Sequence, residues 1–453
     1  MTARAPQRPW LDLVTSTTKT LGAQAALLAV LPLNVGLTLA ALVRSRFVAP
    51  DRAVAAEPLT VLISGGKMTK ALALARSFHG AGHRVVLVEQ SKYWLTGHRF
   101  SRAVDRFHTV PKPDAPEYAE ALLSIVEQEG VDVYVPVCSP VASWYDAKAA
   151  EVLSGHCEVM SCDAEMVRRL DDKFEFTLLA ESLGLPVPDA HRITRPEQVM
   201  EFDFAARRSA DSPARSYVLK SIPYDPVHRL DLTELPRPTE RDTAEFVRGL
   251  PISDDKPWIM QEFVRGQEYC THSTVRDGVV QLHGCCESSA FQINYAMVDK
   301  PRIEEWVRTF VGAFGLTGQV SFDFIEADDG TPYAIECNPR THSAITMFHD
   351  HPGVAAAYLE SQHQMVEPLP ASRPTFWAYH EAWRLLSDPG SWRDRWRTVA
   401  TGTDAIFDRR DPLPFLMVHH AQIPWLLSMN LLRGRPWERI DFNIGKLVEP
   451  GGD

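Results

Sequence analysis

The sequence predicts an α/β protein that opens on a parallel sheet, continues into antiparallel sheet, and carries a hydrophobic helical segment at its N terminus. Three observations carry this. Apolar, β-branched runs at 59–63 and 84–88 flank a helix-periodic stretch, 69–81, that Gly82 ends; this is a β–α–β unit. Further on, 258–264, 269–275 and 279–285 alternate as antiparallel strands, and 319–326 and 332–337 face each other across the turn Asp328-Asp329-Gly330. Before all of these, residues 20–43 form a run of 24 without a charge, between Lys19 and Arg44.

Composition bounds the rest. At ~150 residues per domain, 453 residues suggest about three domains. Lys+Arg is 47 against 58 Asp+Glu, a net charge of −11. That balance argues against nucleic-acid binding, which needs a basic footprint. Apolar residues make up 45% and charged residues 23%, enough for a large core and too ordered for a disordered chain. Seven cysteines with no CxxC pair fit neither a disulfide scaffold nor a zinc ribbon, so the expected compartment is the reducing cytoplasm.

In chain order, 1–57 is the hydrophobic segment and its linker. About 20 apolar residues span a bilayer, but Pro32 and Asn34 interrupt this run. Three readings stand: a single membrane anchor on the cytosolic face, a bent hairpin lying in the interface, and a buried helix pair on the main body. Arg44, Arg46 and Arg52 follow the run while Arg4, Arg8 and Lys19 precede it, so charge leaves the orientation open. Residues 58–162 form the parallel-sheet domain, whose later strand, 131–137, ends in Cys138-Ser139-Pro140; ligands bind at the carboxyl ends of such strands. Residues 163–256 form a lobe of helices to about Gly184, a strand at 217–221 carrying Lys220, and a Pro-rich loop at 223–238. Residues 257–365 form a second lobe containing the hairpin, and 366–453 a Trp-rich extension ending in the apolar stretch 423–432.

The chemistry concentrates in Phe322-Asp323-Phe324 and Ile335-Glu336-Cys337-Asn338-Pro339-Arg340. Asp323 precedes Glu336 by thirteen residues on the neighbouring strand, and Glu336 and Asn338, two apart, share a face. Three oxygen donors then converge, as suits Mg²⁺ held by carboxylates together with nucleotide phosphates. Arg340 is placed to fork onto a phosphate. An ordinary hairpin with solvent-facing acids fits the same residues. Lys173, after Asp171-Asp172, and Lys220 are two point charges for a polyphosphate, or two solvated lysines. Gln261-Glu262-Phe263-Val264 ends a strand whose backbone suits an adenine edge, and Glu268 suits ribose hydroxyls; solvated strand ends are the plainer reading.

The order of these pieces, from about Leu59 to Leu359, resembles the ATP-grasp superfamily. A closer resemblance runs through SGGKMTKALALARSFHGAGHRV, KYWLTGHRFSRAV, VPVCSPVASWYD, DDKFEFT, PWIMQEFVRGQEYCTHSTVRDG, SSAFQINY and YAIECNPRTHSAITMF, and in the tail through HEAWRL, GTDAIF and RIDFNIGKLVE. These resemble the ATP-grasp enzyme of mycosporine biosynthesis, which joins glycine to 4-deoxygadusol using ATP and Mg²⁺. The resemblance implies an ATP-grasp fold with its N-terminal parallel-sheet domain, those cofactors and substrates, and a homodimer. It also implies phosphorylation of an enol-type oxygen, since the cyclohexenone has no carboxylate. Asp323, Glu336 and Asn338 would hold metal, Lys173 and Lys220 the phosphates, and Arg340 the charge of the transferred group. One departure stands out: the loop after the strand lysine is often glycine-rich, and here it is 221–229, with His228 and Arg229 as substitute donors or an ordinary loop. Two other readings remain, a carboxylate–amine ligase working through an acyl phosphate, and a membrane-bound nucleotide sensor.

Thr341, His342 and Ser343 follow the metal motif and are expected at the reaction centre. His342 reads either as the acceptor of the amine proton, with a pKa in the working range, or as a hydrogen-bonded support. Ser64, Lys67, His98, Arg99 and Ser139, at strand ends and loops of the first domain, are candidates for the cyclohexenone hydroxyls or the glycine carboxylate, with Arg99 the better carboxylate partner. Lys67 and Arg99 also read as solvated loop charges. Cys285 and Cys286 are expected on opposite faces of a strand, and Cys337 is expected to point away from the metal.

Overall fold

The structure is a computed structural model that describes residues 9–47, 53–137, 139, 141–205, 215–223, 225, 227–228, 231–288, 294–361 and 364–450. Arg4, Arg8, Arg52, Cys138, Pro140 and Arg229 lie outside these residues.

The first helix, α1 (Pro9–Ser45), is one continuous helix that runs through Pro32. This corrects the hairpin reading. Both halves are tied to the same surface of the C-terminal extension, so the chain has no freedom to fold back at the proline. On one side of Pro32, Gln24 Nε2 donates to Ser428 Oγ at 2.8 Å; on the other, Asn34 Nδ2 donates to the Tyr379 hydroxyl at 2.6 Å. Lys19 Nζ donates to the Trp437 and Glu438 carbonyls. The helix therefore packs alone against helix Ile423–Leu432 rather than as half of a buried pair. Over its most apolar window the mean hydropathy is 2.2, yet only 22% of that window is buried.

Next come β1 (Thr60–Ile63), α2 (Thr69–Gly80), β2 (Arg84–Gln90), β3 (Arg106–Val110), α3 (Tyr118–Glu129), β4 (Val133–Val135), α4 (Ser143–Leu153) and β5 (Glu158–Val159). The strands form an all-parallel sheet in the order β3-β2-β1-β4-β5. Helices cover both faces, which is why β1 and β2 are apolar along their length rather than alternating. The fourth strand stops two residues short of the expected Val137, whose amide instead donates to Ser64 Oγ.

Helices α5 (Ala164–Asp171) and α6 (Lys173–Ser182) lead into a three-stranded antiparallel sheet, β6 (Ala190–Ile193), β7 (Tyr217–Ser221) and β8 (Trp258–Glu262), in the order β6-β8-β7. A four-stranded antiparallel sheet follows. It contains β9 (Gln267–Arg276), β10 (Val279–Glu287), β12 (Gly318–Glu326) and β13 (Pro332–Asn338), in the order β10-β9-β12-β13; the two-residue strand β11 (Asn294–Tyr295) pairs with Thr375–Phe376 instead.

Alternation along β12 sends Phe322 and Phe324 into a cluster with Trp306, Phe310 and Phe176, and Asp323 to the opposite face. Cys337 lies in the same cluster, pointing away from the neighbouring donors, while Cys285 and Cys286 enter different clusters on the two faces of β10. The largest cluster joins the first sheet, helix Val354–Leu359 and the extension. Phe78 meets Tyr358 edge-on at 5.6 Å, and Trp377 Nε1 donates to Thr69 Oγ1 at 3.0 Å.

The link from β1 to α2 admits no side chain at Gly65. Its φ is +68°, and a Cβ there would lie 1.8 Å from the Val137 carbonyl oxygen. Gly65→Ala is expected to lower stability by about 3 kcal/mol, the sum of left-handed strain and a backbone shift. Chemical denaturation of the two proteins measures it.

Candidate active site

A cavity of about 1070 Å³ lies between the two antiparallel sheets and is closed on its far side by α2 and the C-terminal extension. Its floor is the β12–β13 hairpin, in which Asp323 and Glu336 are paired directly across the strands. Asn338 Nδ2 lies 3.2 Å from Glu336 Oε1 and 3.4 Å from Asp323 Oδ2. The three expected metal ligands are thus in one place.

Two of the cations arrive from other segments, and the third from just past β13. Lys173 is the first residue of α6, whose N-cap Asp172 accepts the Phe174 and Glu175 amides; its Nζ lies 3.2 Å from Glu336 Oε2. Lys220, on β7, donates to Gln261 Oε1 at 3.1 Å. Arg340 pairs with Asp171 at 3.2 Å and hydrogen-bonds Asn338 Oδ1.

Burial and the mutual repulsion of the two acids push Asp323 up to about 8. Desolvation acts to raise the half-buried Glu336 as well, but Lys173 and Lys220 outweigh it and hold it down to about 2. Burial lowers the Lys220 pKa, opposed by Glu336. An acid pair that keeps a proton at neutral pH, beside an amide, is a donor set that fits a small divalent cation. The Asn338 amide now turns its nitrogen to the acids and its oxygen to Arg340. Serving a cation means turning the amide over.

Gln261, Glu262, Phe263, Val264 and Glu268 all line the cavity. The Glu262 and Phe263 amides, however, are already given to the Asp189 and Ser216 carbonyls, both at 2.7 Å. Those two amides therefore do not read an adenine edge, which corrects one detail of the expected contact. Glu268 accepts from Ser288 Oγ at 2.9 Å. In the loop after β7, His228 is held by Asp225 at 2.7 Å.

The expected substrate residues divide. Thr341, His342, Ser343 and Ser139 line the cavity. Ser64 and Lys67 do not; with Ser139 they line a separate recess of about 30 Å³. Lys67 is buried, lies 3.4 Å from Glu89, and sits over the Tyr93 ring, so it is not a solvated loop charge. Arg99 lies outside both spaces. It stacks on Phe107 and donates to the Trp94 carbonyl at 2.7 Å, so its charge is spent on holding a loop. His98 is buried and bonded to the Gly66 carbonyl.

His342 Nδ1 accepts the Ala344 amide, and burial, with Lys70 nearby, lowers its pKa to about 3. Sequence reasoning missed Lys70, Tyr295, Asn443 and Lys446 in the cavity wall. Lys70 lies one helical step past Lys67, and Asn443 lies in a tail segment whose contact with α2 has no local signature.

No protein family model and no curated protein matches the chain. Solved structures do. An N5-carboxyaminoimidazole synthetase from Staphylococcus aureus superposes with a TM-score of 0.51 at 15% identity, over 71% of this chain and 83% of that one. A biotin carboxylase from Campylobacter jejuni, in a β-γ-ATP complex, gives 0.51 at 16% identity over 68% and 72%. The Aspergillus clavatus N5-carboxyaminoimidazole synthase, with ADP and 5-aminoimidazole ribonucleotide, gives 0.50 at 15% over 70% and 80%. The fold is accordingly the ATP-grasp fold.

The raised Asp323 fixes a sign. A carboxyl whose native pKa, about 8, exceeds its unfolded value of 3.8 contributes stability that is full below 3.8 and is lost as pH rises through about 8. Metal-free protein is therefore expected to lose stability over that window, and Asp323→Asn to flatten the decline. Denaturation midpoints measured against pH in chelator test this.

Proposed function

We propose that this chain is an ATP-dependent ligase that joins glycine to 4-deoxygadusol, giving mycosporine-glycine, ADP and phosphate. The observation that carries the ligase reading is the meeting of Asp323, Glu336 and Asn338 with Lys173, Lys220 and Arg340 inside one cavity. Binding a nucleotide alone does not call for an acid pair facing three cations. The fold supports the class, and the mycosporine substrates rest on the sequence resemblance.

Asp323, Glu336 and Asn338 would hold Mg²⁺, which supplies charge neutralisation for the phosphates. Lys173 and Lys220 would hold the phosphates as point charges, and Gln261 would fix the Lys220 ammonium. Arg340, aligned by Asp171, would stabilise charge on the phosphoryl group as it passes to the enol-type oxygen of the ring. The glycine amine would then add to that carbon, the C–O bond would break, and the released phosphate would carry away the amine proton. His342 stays neutral and orients Ser343 and Ala344 rather than taking the amine proton.

Purified protein with Mg-ATP and 4-deoxygadusol is expected to release ADP and form the glycine adduct, read by mass spectrometry. Glu336→Gln is expected to lower turnover ~100-fold or more. ADP release only on adding a carboxylic acid would instead identify an acyl-phosphate ligase.

The same protein is proposed to lie on a membrane through α1. Leu21, Leu28, Leu33, Leu37, Leu39 and Val43 are exposed along a helix whose polar stripe is fastened to the body. Exposing such a row costs roughly 1.5–3 kcal/mol per leucine relative to burial. Fastening along both halves favours a helix in the interface plane over one that crosses the bilayer. Full-length protein is expected to float with lipid vesicles, and Leu28→Glu/Leu33→Glu to stay in solution; wild type remaining in the soluble fraction would refute the membrane role.

A further inference from the structure

The C-terminal extension exposes large apolar side chains that a packed body normally covers. Trp383 and Leu386, on helix Ala378–Ser387, are 69% and 80% exposed; Trp392 and Trp396, on helix Trp392–Thr401, are 60% and 64% exposed. The downstream helix has ten residues and none of them is buried. It is attached through charge rather than through an apolar face. Arg395 lies 3.6 Å from the buried Glu381 of the upstream helix, and Arg373 donates to the Thr401 and Ala400 carbonyls. Trp392 and Trp396, one turn apart, share a face.

This surface adjoins α1. Tyr379, Trp383 and Leu386 recur at i, i+4 and i+7 and so line one face of the upstream helix. The Tyr379 hydroxyl is the group that accepts from Asn34 of α1. The exposed face therefore begins where α1 rests. Helix Ile423–Leu432 repeats the pattern: Trp425, Ser428 and Leu432 share a face, Ser428 holds Gln24 of α1, and Trp425 and Leu432 are exposed.

Charge separates along the same line. Residues 58–365, which supply most of the cavity wall, hold 30 basic and 44 acidic side chains, a charge of −14. Residues 1–57 hold six basic against three acidic, and 366–453 hold eleven of each. On helix Trp392–Thr401, Arg393, Arg395 and Arg397 accompany a single acid, Asp394, which lies 3.7 Å from Arg397.

We infer that the helix pair 378–401 is a second bilayer contact beside α1, selective for anionic lipid. The inference rests on the membrane reading of α1 and adds the lipid class and a second point of attachment. Trp383, Leu386, Trp392 and Trp396 enter the headgroup region, where Trp is enriched, and Arg393 and Arg397 meet lipid phosphates. The acidic body stays away from a surface of its own sign. A second copy of the chain would set the same arginines against one another, so charge favours lipid as the occupant.

The test floats full-length protein with vesicles of phosphatidylcholine alone and of phosphatidylcholine mixed with phosphatidylglycerol. Wild type is expected to bind the mixed vesicles about tenfold more tightly, with the preference falling as salt rises. Arg393→Gln/Arg397→Gln is expected to lose that preference. Trp392→Ser/Trp396→Ser is expected to weaken binding to both vesicles about tenfold. Unchanged nucleotide binding in each variant shows that it is folded. Tryptophan variants that float like wild type, or a wild type indifferent to phosphatidylglycerol, would overturn the second contact and leave the α1 reading standing. Tryptophan variants that float normally but sediment as a smaller oligomer would give the face to a second copy instead. A wild type that floats with neither vesicle would overturn both readings.

Discussion

Two half-buried carboxylates facing each other across a β-ladder are the constraint on which the rest of the molecule depends. Taking Asp323 and Glu336 out of water at close range is costly, and their repulsion adds to it. Lys173, Lys220 and Arg340 offset the cost, and each is delivered by a different element: the start of α6, the strand β7 and the end of β13. Whatever positions those elements is thereby linked to the acids. The aromatic cluster behind β12 supplies the rigidity, since Phe322 and Phe324 can reach Trp306 only in the register that turns Asp323 outward.

The same arrangement gathers charge of both signs in one cavity. Lys173, Lys220 and Arg340 lie with the acids, and Lys70 and Lys446 line the wall where it passes to α2 and the tail hairpin. The C-terminal extension consequently has two roles. Its hairpin joins the cavity wall through Asn443, and its helix Ile423–Leu432 gives α1 a surface to lie on. The contacts of Gln422 with both Gly97 and Gly445 connect the first domain to that hairpin through one side chain.

The side chains of the first domain illustrate how a charge changes meaning once buried. Lys67 and Arg99 were both candidate anion ligands by type, Arg99 the better for a carboxylate. The structure seals Lys67 against Glu89 and Tyr93, and stacks Arg99 on Phe107. Lys70, three residues from Lys67 on α2, reaches the cavity instead. His342 shows the same effect: an imidazole beside the site loses basicity when burial and a nearby lysine disfavour its charged form.

By itself the sequence determined what is periodic or adjacent. The β–α–β unit, the strand bearing Lys220, the hairpin across Asp328-Asp329-Gly330 and the shared face of Glu336 and Asn338 all follow from alternation and turn chemistry, which act over a few residues. The resemblance carried by its motifs named the fold. What only the tertiary structure decided is which distant segments meet. The straight course of α1 through Pro32, the retreat of Ser64, Lys67 and Arg99 from the cavity, and the arrival of Lys70 and Asn443 in its wall all depend on contacts between residues separated by up to several hundred positions. No local pattern encodes such contacts, because they arise when separate apolar faces are buried together in one core.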